Sequence, residues 1–243
     1  MKSFMKKYVF LLIIAGLAAF LSSCATPEAA GKDTLFQVST LEALLKGVYD
    51  GEMTFGDLRK HGDFGLGTFQ ALDGEMIAVD GKFYQVLYDG SIRVASDNEK
   101  TPFAEVTFFE PDITKKLPAG MDYAAFRKKS DAGFLPDLGL FYAIRIRGTF
   151  LKMKTRSVPR QEKPYPPLKE VVKKQSVFDF EKVDGVMAGF RSPAFVKGAG
   201  VPGYHLHFIS SDRKEGGHVL DFIIDKAVLE IDVTPNLFLV LSE

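Results

Sequence analysis

The chain has 243 residues, 46% of them hydrophobic, with 22 phenylalanines and no tryptophan. That supports one compact domain or two small ones around an aromatic core, and excludes a disordered chain. Lys plus Arg and Asp plus Glu both number 31, which excludes the basic excess of a nucleic-acid-binding surface, and a single cysteine excludes an internal disulfide framework.

Lys2, Lys6 and Lys7 make a basic start, followed by an apolar run over residues 8–21. The run is shorter than the roughly 20 residues needed to cross a hydrocarbon core. It ends in Leu21-Ser22-Ser23-Cys24. A basic start, a short apolar run and small residues before a cut site make a secretory signal. The ending resembles a bacterial lipobox, in which the cysteine is acylated and becomes the first residue of the mature chain. Residues 1–23 are therefore expected to be a lipoprotein signal peptide, Cys24 the lipidation site, and 24–34 a small polar tether. The protein is then exported and anchored to the bacterial cell envelope. Residue 25 is alanine, not aspartate, which favours the outer membrane if the host has two.

The fold is expected to begin near Thr34. Ser39-Thr40-Leu41-Glu42 reads as a capping box with Ser39 as N-cap. Leu41, Leu44 and Leu45 form an apolar stripe at helical spacing, and Gly47 is the expected stop. A second short helix is expected over 54–61. Strands over 76–79 and 83–87 flank Asp80-Gly81, a dipeptide that favours a tight hairpin. Asp89-Gly90 repeats the signal before a strand over 91–95. Residues 103–109 alternate as a strand, 123–129 read as a helix, and 140–148 with 149–155 read as two paired strands or one bent strand. Pro159, Pro164, Pro166 and Pro167 exclude a sheet interior over 158–168. The boundary is placed there, giving an N-terminal half over 35–160 and a C-terminal half over 161–243. Beyond it, 169–180 is helix or strand, with strands over 194–196, 204–209, 218–225 and 228–233. Asp50-Gly51-Glu52-Met53 is echoed by Asp184-Gly185-Val186-Met187, a faint sign of duplication. The expected class is α+β: two related halves, each a mixed or antiparallel sheet with flanking helices.

Three of the chain's four histidines lie close together near its end. His205 and His207 are two apart in a strand-like stretch. Alternation puts both on one side, with Tyr204, Leu206 and Phe208 on the other. Residues 210–217 are polar and end in Gly216-Gly217, which reads as a hairpin loop. The returning strand brings His218 beside the pair. Three converging imidazoles suit zinc with a position left open for water or substrate, although imidazole also suits iron, nickel and copper. The plain alternative is three unrelated histidines on a solvated hairpin. His61 reads as structural or exposed.

Gly65-Leu66-Gly67-Thr68-Phe69-Gln70-Ala71-Leu72-Asp73-Gly74-Glu75-Met76 resembles the signature of the alpha-acetolactate decarboxylase family. So do Phe141-Tyr142-Ala143-Ile144-Arg145-Ile146 and the block from Lys154-Thr155-Arg156-Ser157-Val158-Pro159 to Pro166-Pro167-Leu168. The His-x-His and later His have the family spacing as well. The resemblance implies a carboxy-lyase that converts 2-acetolactate to acetoin and carbon dioxide, with a fold of two related α+β halves. It also implies a zinc ion on His205, His207 and His218, and a possible homodimer. Carried over residue by residue, it makes Glu75 the active-site carboxylate, Arg156 the active-site arginine and Thr68 a residue of the substrate pocket. Arg145, alternating with Ile144 and Ile146, is a second-choice substrate-binding residue.

The chemistry suits these residue types. Loss of carbon dioxide from acetolactate leaves an enediolate, whose charge a metal chelated by the ketone and hydroxyl oxygens accepts without an organic cofactor. An arginine can hold the carboxylate through two parallel hydrogen bonds. Glu75 or Arg156, directly or through water, then supplies a proton from one face. Taken by themselves these residues also have plainer readings. Glu75 can serve a turn after Asp73-Gly74, Arg156 can be a solvated charge near Lys152, Lys154 and Arg160, and Thr68 follows a glycine-rich turn. The family pattern runs on past Glu243 with an acidic tail that sends a late glutamate toward the metal, and Arg147 stands where a polar or acidic residue is expected. The leading expectation is a metal-dependent decarboxylase. The alternatives are a catalytically impaired metal-binding lipoprotein of the same fold lacking that glutamate, and a zinc hydrolase using hydroxide on three histidines.

Overall fold

The computed structural model describes residues 31–241. The expected signal peptide, Cys24 and most of the tether lie outside these residues. No helix among the described residues is long and apolar enough to cross a membrane.

The first strand, β1 (Thr34–Val38), is buried on both faces. Helix α1 (Leu41–Leu45) follows, and its N-cap is Thr40, whose side chain accepts from the Ala43 N–H at 3.2 Å. The expected cap, Ser39, has φ 60° and gives its backbone N–H to Val240 O. Ser39 thus finishes a strand pairing, and the cap passes to its neighbour. Next come β2 (Met53–Thr54), α2 (Phe55–Leu58), β3 (Phe64–Thr68), β4 (Glu75–Val79), β5 (Lys82–Val86), β6 (Ile92–Val94), β7 (Lys100–Thr101) and β8 (Ala104–Thr107). The β4–β5 hairpin turns at Asp80 and Gly81, both at positive φ as the dipeptide predicts. The rest of the chain supplies β9 (Ile113–Leu117), α3 (Tyr123–Gly133), β10 (Phe141–Ser157), α4 (Leu168–Val171), β11 (Ser176–Ser192), β12 (Gly203–Ser210), β13 (Gly216–Thr234) and β14 (Asn236–Val240).

Two sheets hold the molecule together. The first has the order β14-β1-β8-β3-β4-β5-β6, with β1 and β14 parallel and the other pairs antiparallel. The second is antiparallel with the order β10-β11-β12-β13-β9, and an added β10–β13 pairing closes four strands on themselves. That ring encloses an aromatic core in which Phe150 packs edge-on against Phe208 and Phe222. A separate apolar layer, including Leu66, Ile77, Ala188 and Phe190, fills the space between the sheets. The α+β class with two sheet-centred halves matches the expectation.

Several expected boundaries move. Of the two readings of 140–155, one bent strand holds: β10 runs over Phe141–Ser157, with register shifts after Thr149, Phe150 and Lys154. Residues 218–233 are likewise one long strand, β13. Residues 194–196 form a 3₁₀ turn opened by Pro193, not a strand. Residues 169–180 divide into a short helical segment and the start of β11. The proline-rich segment does not separate the sheets: β9 and β10 precede it yet belong to the second sheet, and β14 follows it yet joins the first. It packs instead through Val158, Tyr165 and Leu168 onto Leu44, Tyr49 and Phe103. The four-residue echo also has no structural counterpart. Residues 50–52 precede β2, which opens at Met53, whereas 184–187 lie inside β11.

Asp232, on β13, is fully buried, and its Oδ2 accepts the Glu110 backbone N–H at 2.9 Å. Burial pushes its carboxyl up to about 6; the Glu110 N–H opposes the rise, and the charges of Asp112, Asp33 and Glu110 add to it. The native state therefore holds this proton more tightly than the unfolded chain. Its stabilising effect is full below the ordinary value of about 3.9 and is lost as pH rises through about 6. Asp232→Asn keeps an oxygen for the Glu110 N–H and is expected to raise the melting temperature at pH 8 but not at pH 4. An equal shift at both pH values would exclude Asp232 as its source.

Candidate active site

The site forms where the histidine hairpin of the second sheet meets the first sheet. β12 places His205 and His207 two residues apart on one face, and β13 places His218 directly across from His207. Arg156 of β10 pairs with His218 across the next ladder. From the first sheet, Glu75 on β4 lies opposite Thr68 on β3. These six residues line one cavity of about 190 Å³. A larger crease of about 490 Å³, lined by Asp50, Gln70, Asp73 and Arg160, shares no residue with it. The crease is open, and Arg160 and Asp73 on its wall pair with each other while Asp50 pairs with Lys163.

One ligand atom from each of the three imidazoles lies within 4.8 Å of the others, and no other such group occurs among the described residues. His207 Nδ1 stands 2.8 Å from the Met76 carbonyl oxygen. A carbonyl only accepts, so Nδ1 carries the proton and Nε2 keeps its lone pair. That Nε2 is 3.2 Å from His218 Nδ1 and 3.6 Å from Glu75 Oε2. Glu75 Oε1 accepts from Arg156 Nη1 at 3.1 Å.

Burial governs the charges. It holds His207 well below the ordinary imidazole range, helped by His205 and Arg156 and opposed by the Met76 hydrogen bond. It also holds His218 well below that range, with Arg156, His205 and His207 adding to the effect. Both rings are therefore neutral at physiological pH, the form that binds metal. Burial raises the Glu75 carboxyl, against the pull of Arg156 and His205. The Thr68 hydroxyl donates to Gly74 O at 2.7 Å.

The sequence profile described as alpha-acetolactate decarboxylase matches residues 35–243. The chain is 51% identical to the Methanosarcina mazei alpha-acetolactate decarboxylase over 83% of its own length and 70% of that protein's. The corresponding figures for the Bacillus subtilis protein of the same description are 46%, 84% and 79%. This chain belongs to the alpha-acetolactate decarboxylase family. The crystal structure of alpha-acetolactate decarboxylase from Bacillus subtilis superimposes with a TM-score of 0.85 at 45% identity, covering 86% of this chain and 89% of that one. A Staphylococcus aureus protein of unknown function, similar to alpha-acetolactate decarboxylase, gives 0.83 at 32% identity and covers 86% and 89%.

Of the described residues singled out for the metal and substrate site, the fold brings together all except Arg145. The Arg145 guanidinium is bidentate on Glu230, at 2.7 and 3.0 Å, and stacks over Phe109. It does not line the histidine cavity. Arg145 and Arg156 share β10 but are separated along it by roughly 35 Å at the usual rise of about 3.3 Å per residue. Tyr204, which alternation puts on the face opposite His205 and His207, nevertheless lines the cavity with them, and several other lining residues had no part in the sequence reading of the site. These include the apolar side chains of Leu41, Leu44, Leu72 and Phe103. Glu105 lies behind His205, at 3.6 Å. Only the strand alternation of β8 pointed toward Glu105, and it pointed equally to solvent.

Two glycines let the histidine strands close. Gly217, just before His218, has φ 129°, and a Cβ there would stand 2.5 Å from Arg156 O. A Cβ on Gly189 would stand 2.0 Å from His205 O. Gly189→Ala is expected to push β12 away from β11 and cost roughly 1–3 kcal/mol, as overpacking does. Urea denaturation measures it. Gly133→Ala is the control, since nothing lies within 4 Å of a Cβ there. Equal effects from the two substitutions would remove the steric argument.

Proposed function

We propose that this protein decarboxylates 2-acetolactate to acetoin and carbon dioxide, with a zinc ion held by His205, His207 and His218. The observation that carries this reading is the meeting, in one small buried cavity, of a three-imidazole donor set and the Glu75–Arg156 pair. The donor set fits zinc. Tetrahedral coordination at about 2.0–2.1 Å separates ligand nitrogens by roughly 3.3 Å, and His207 Nε2 and His218 Nδ1 are 3.2 Å apart. When bound, the ion supplies a Lewis acid for the negative charge that builds on the substrate's oxygens as carbon dioxide leaves.

The chain's own residues do the rest. Arg156 spends one donor on Glu75 at 3.1 Å. Its remaining N–H groups are available to a carboxylate in the bidentate manner that guanidinium favours. The buried Glu75 carboxyl, with its raised pKa, holds a proton more readily than an exposed one. It can therefore give a proton to the carbon that loses carbon dioxide. Thr68 gives its own hydrogen to Gly74 O, leaving oxygen lone pairs to accept from a substrate hydroxyl. Leu41, Leu44, Leu72 and Phe103 wall the cavity with apolar surface, which excludes water and strengthens these polar contacts. The volume of about 190 Å³ suits a short-chain substrate.

The test is acetoin formation from acetolactate before and after chelation and zinc restoration. The expected result is activity that disappears with the metal and returns with it. Glu75→Gln is expected to lower kcat by roughly 10²–10⁴-fold, the usual worth of a positioned acid or base, while bound zinc is retained. Zinc-loaded protein that leaves acetolactate untouched would sink the reading.

The basic start, short apolar run and Leu21-Ser22-Ser23-Cys24 support an exported protein acylated at Cys24. In a bacterial host, Cys24→Ala is expected to move the protein from the membrane to the soluble fraction and to abolish labelling by a fatty-acid probe. Unchanged membrane association without labelling in the parent chain would remove the anchor from the proposal.

A further inference from the structure

We infer that Glu105 is the positioning residue for His205: its carboxylate takes the imidazole Nδ1–H and so presents the other ring nitrogen to the metal. This rests on reading the three histidines as a metal site. Glu105 is 1% exposed on β8, facing the second sheet. Among the described residues, neither of its carboxylate oxygens has a hydrogen-bond partner, and neither does His205 Nδ1. A buried carboxylate without partners destabilises a fold, so an orphan this deep calls for a compensating role. The group facing it is His205 Nδ1, 3.6 Å from Glu105 Oε2.

The surroundings leave the carboxylate little else to bind. Its cross-strand neighbours are Gln37 on β1 and Leu66 on β3. Leu66 has no polar atom to offer. The Gln37 amide already gives its Nε2 protons to Ser39 O and Ala199 O, both at 2.7 Å. Gly200 stands above the pair, where a Cβ would lie 3.4 Å from Gln37 Oε1 and 3.5 Å from Glu105 Oε1. A movement of about half an ångström closes the gap to His205 into a hydrogen bond.

His207, the fully buried ligand, shows the same arrangement completed. His207 gives its Nδ1 proton to Met76 O and keeps Nε2 free. A metal-ligating histidine needs such an outer acceptor to fix its tautomer and ring orientation. His207 has a carbonyl from β4, and Glu105 on β8 plays that part for His205. Both acceptors come from the first sheet, whereas all three histidines come from the second.

The test compares the parent chain with Glu105→Gln and Glu105→Leu, each alone and combined with His205→Ala. Zinc affinity is read by competition with a chromophoric chelator. Metal geometry is read from the visible spectrum of the cobalt(II)-loaded proteins, and packing from the melting temperature of the metal-free proteins. Glu105→Leu, which cannot accept a hydrogen bond, is expected to weaken zinc binding roughly 10–100-fold, the usual effect of losing an outer-shell partner. Glu105→Gln, which keeps an acceptor oxygen, is expected to weaken it less. Both should shift the cobalt spectrum, leave the metal-free melting temperature unlowered, and add nothing to the loss caused by His205→Ala.

Parent-like zinc affinity in Glu105→Leu would overturn the inference. So would an equal further loss in the His205→Ala background, or a melting temperature that falls in step with affinity. A parent chain that takes up no zinc would overturn the metal reading itself, and the inference with it. The parent titration tells those two failures apart.

Discussion

The hydrogen bond from His207 Nδ1 to Met76 O is the contact on which the site depends. It runs from β12 of one sheet to β4 of the other, between groups removed from water. Because a carbonyl can only accept, the bond fixes the imidazole tautomer without a charged partner. It thereby aims Nε2 at the point where His218 and Glu75 also arrive. Met76 is next to Glu75 in sequence, so the acceptor that orients the ring and the neighbouring carboxylate are set by the same stretch of backbone.

Placing so many polar groups between two sheets has a cost that the fold meets in different ways at different positions. Glu75 has the Arg156 guanidinium, and Thr68 has the Gly74 carbonyl. His207 and His218 shed their charge, as burial dictates. Glu105 and the His205 Nδ1 that faces it are the exceptions, with no hydrogen bond to offset their burial. A buried polar group left unpaired in a native fold calls for a specific explanation. The apolar layer of Leu66, Ile77, Ala188 and Phe190 beside the cavity provides the packing that holds these groups in place.

The histidine hairpin was legible in the sequence because strand alternation and a polar, glycine-ended loop are both local signals. Glu75, Arg156 and Thr68 were not legible locally. Their roles came from resemblance alone, because a carboxylate after Asp-Gly or an arginine among lysines looks like surface. Arg145 shows the limit of reasoning from one strand: it lies on the same strand as Arg156 but far along it, and three register shifts separate the two. β3 looked like a turn because it carries Gly65 and Gly67. These glycines are strand residues that let neighbouring backbone come close, since their Cβ atoms would stand 2.0 Å from Glu105 O and 2.5 Å from Phe103 O. β11 was hidden by its charged and half-exposed first part. The alternation of 103–109 marks β8 as a strand but does not say what its polar face meets; the second sheet covers that face at Glu105, and only long-range packing can reveal it.

The division of labour between the sheets has a consequence for how metal and chemistry are coupled. All three histidines stand on β12 and β13, which pair directly with each other. Glu75, Thr68, Glu105 and the Met76 carbonyl all belong to the first sheet. Under the metal reading, the donor nitrogens are brought together by one hairpin, while their tautomers and the acid–base group depend on the docking of the other sheet. A ligand that binds only the assembled arrangement stabilises it by mass action. Metal affinity and sheet docking are then linked, and each strengthens the other through the rings of His205 and His207. Loosening the apolar layer between the sheets should weaken turnover before it empties the site. Under the proposed reaction, proton transfer needs Glu75 placed to within a fraction of an ångström, whereas the hairpin keeps its three imidazoles together across any small separation of the layers.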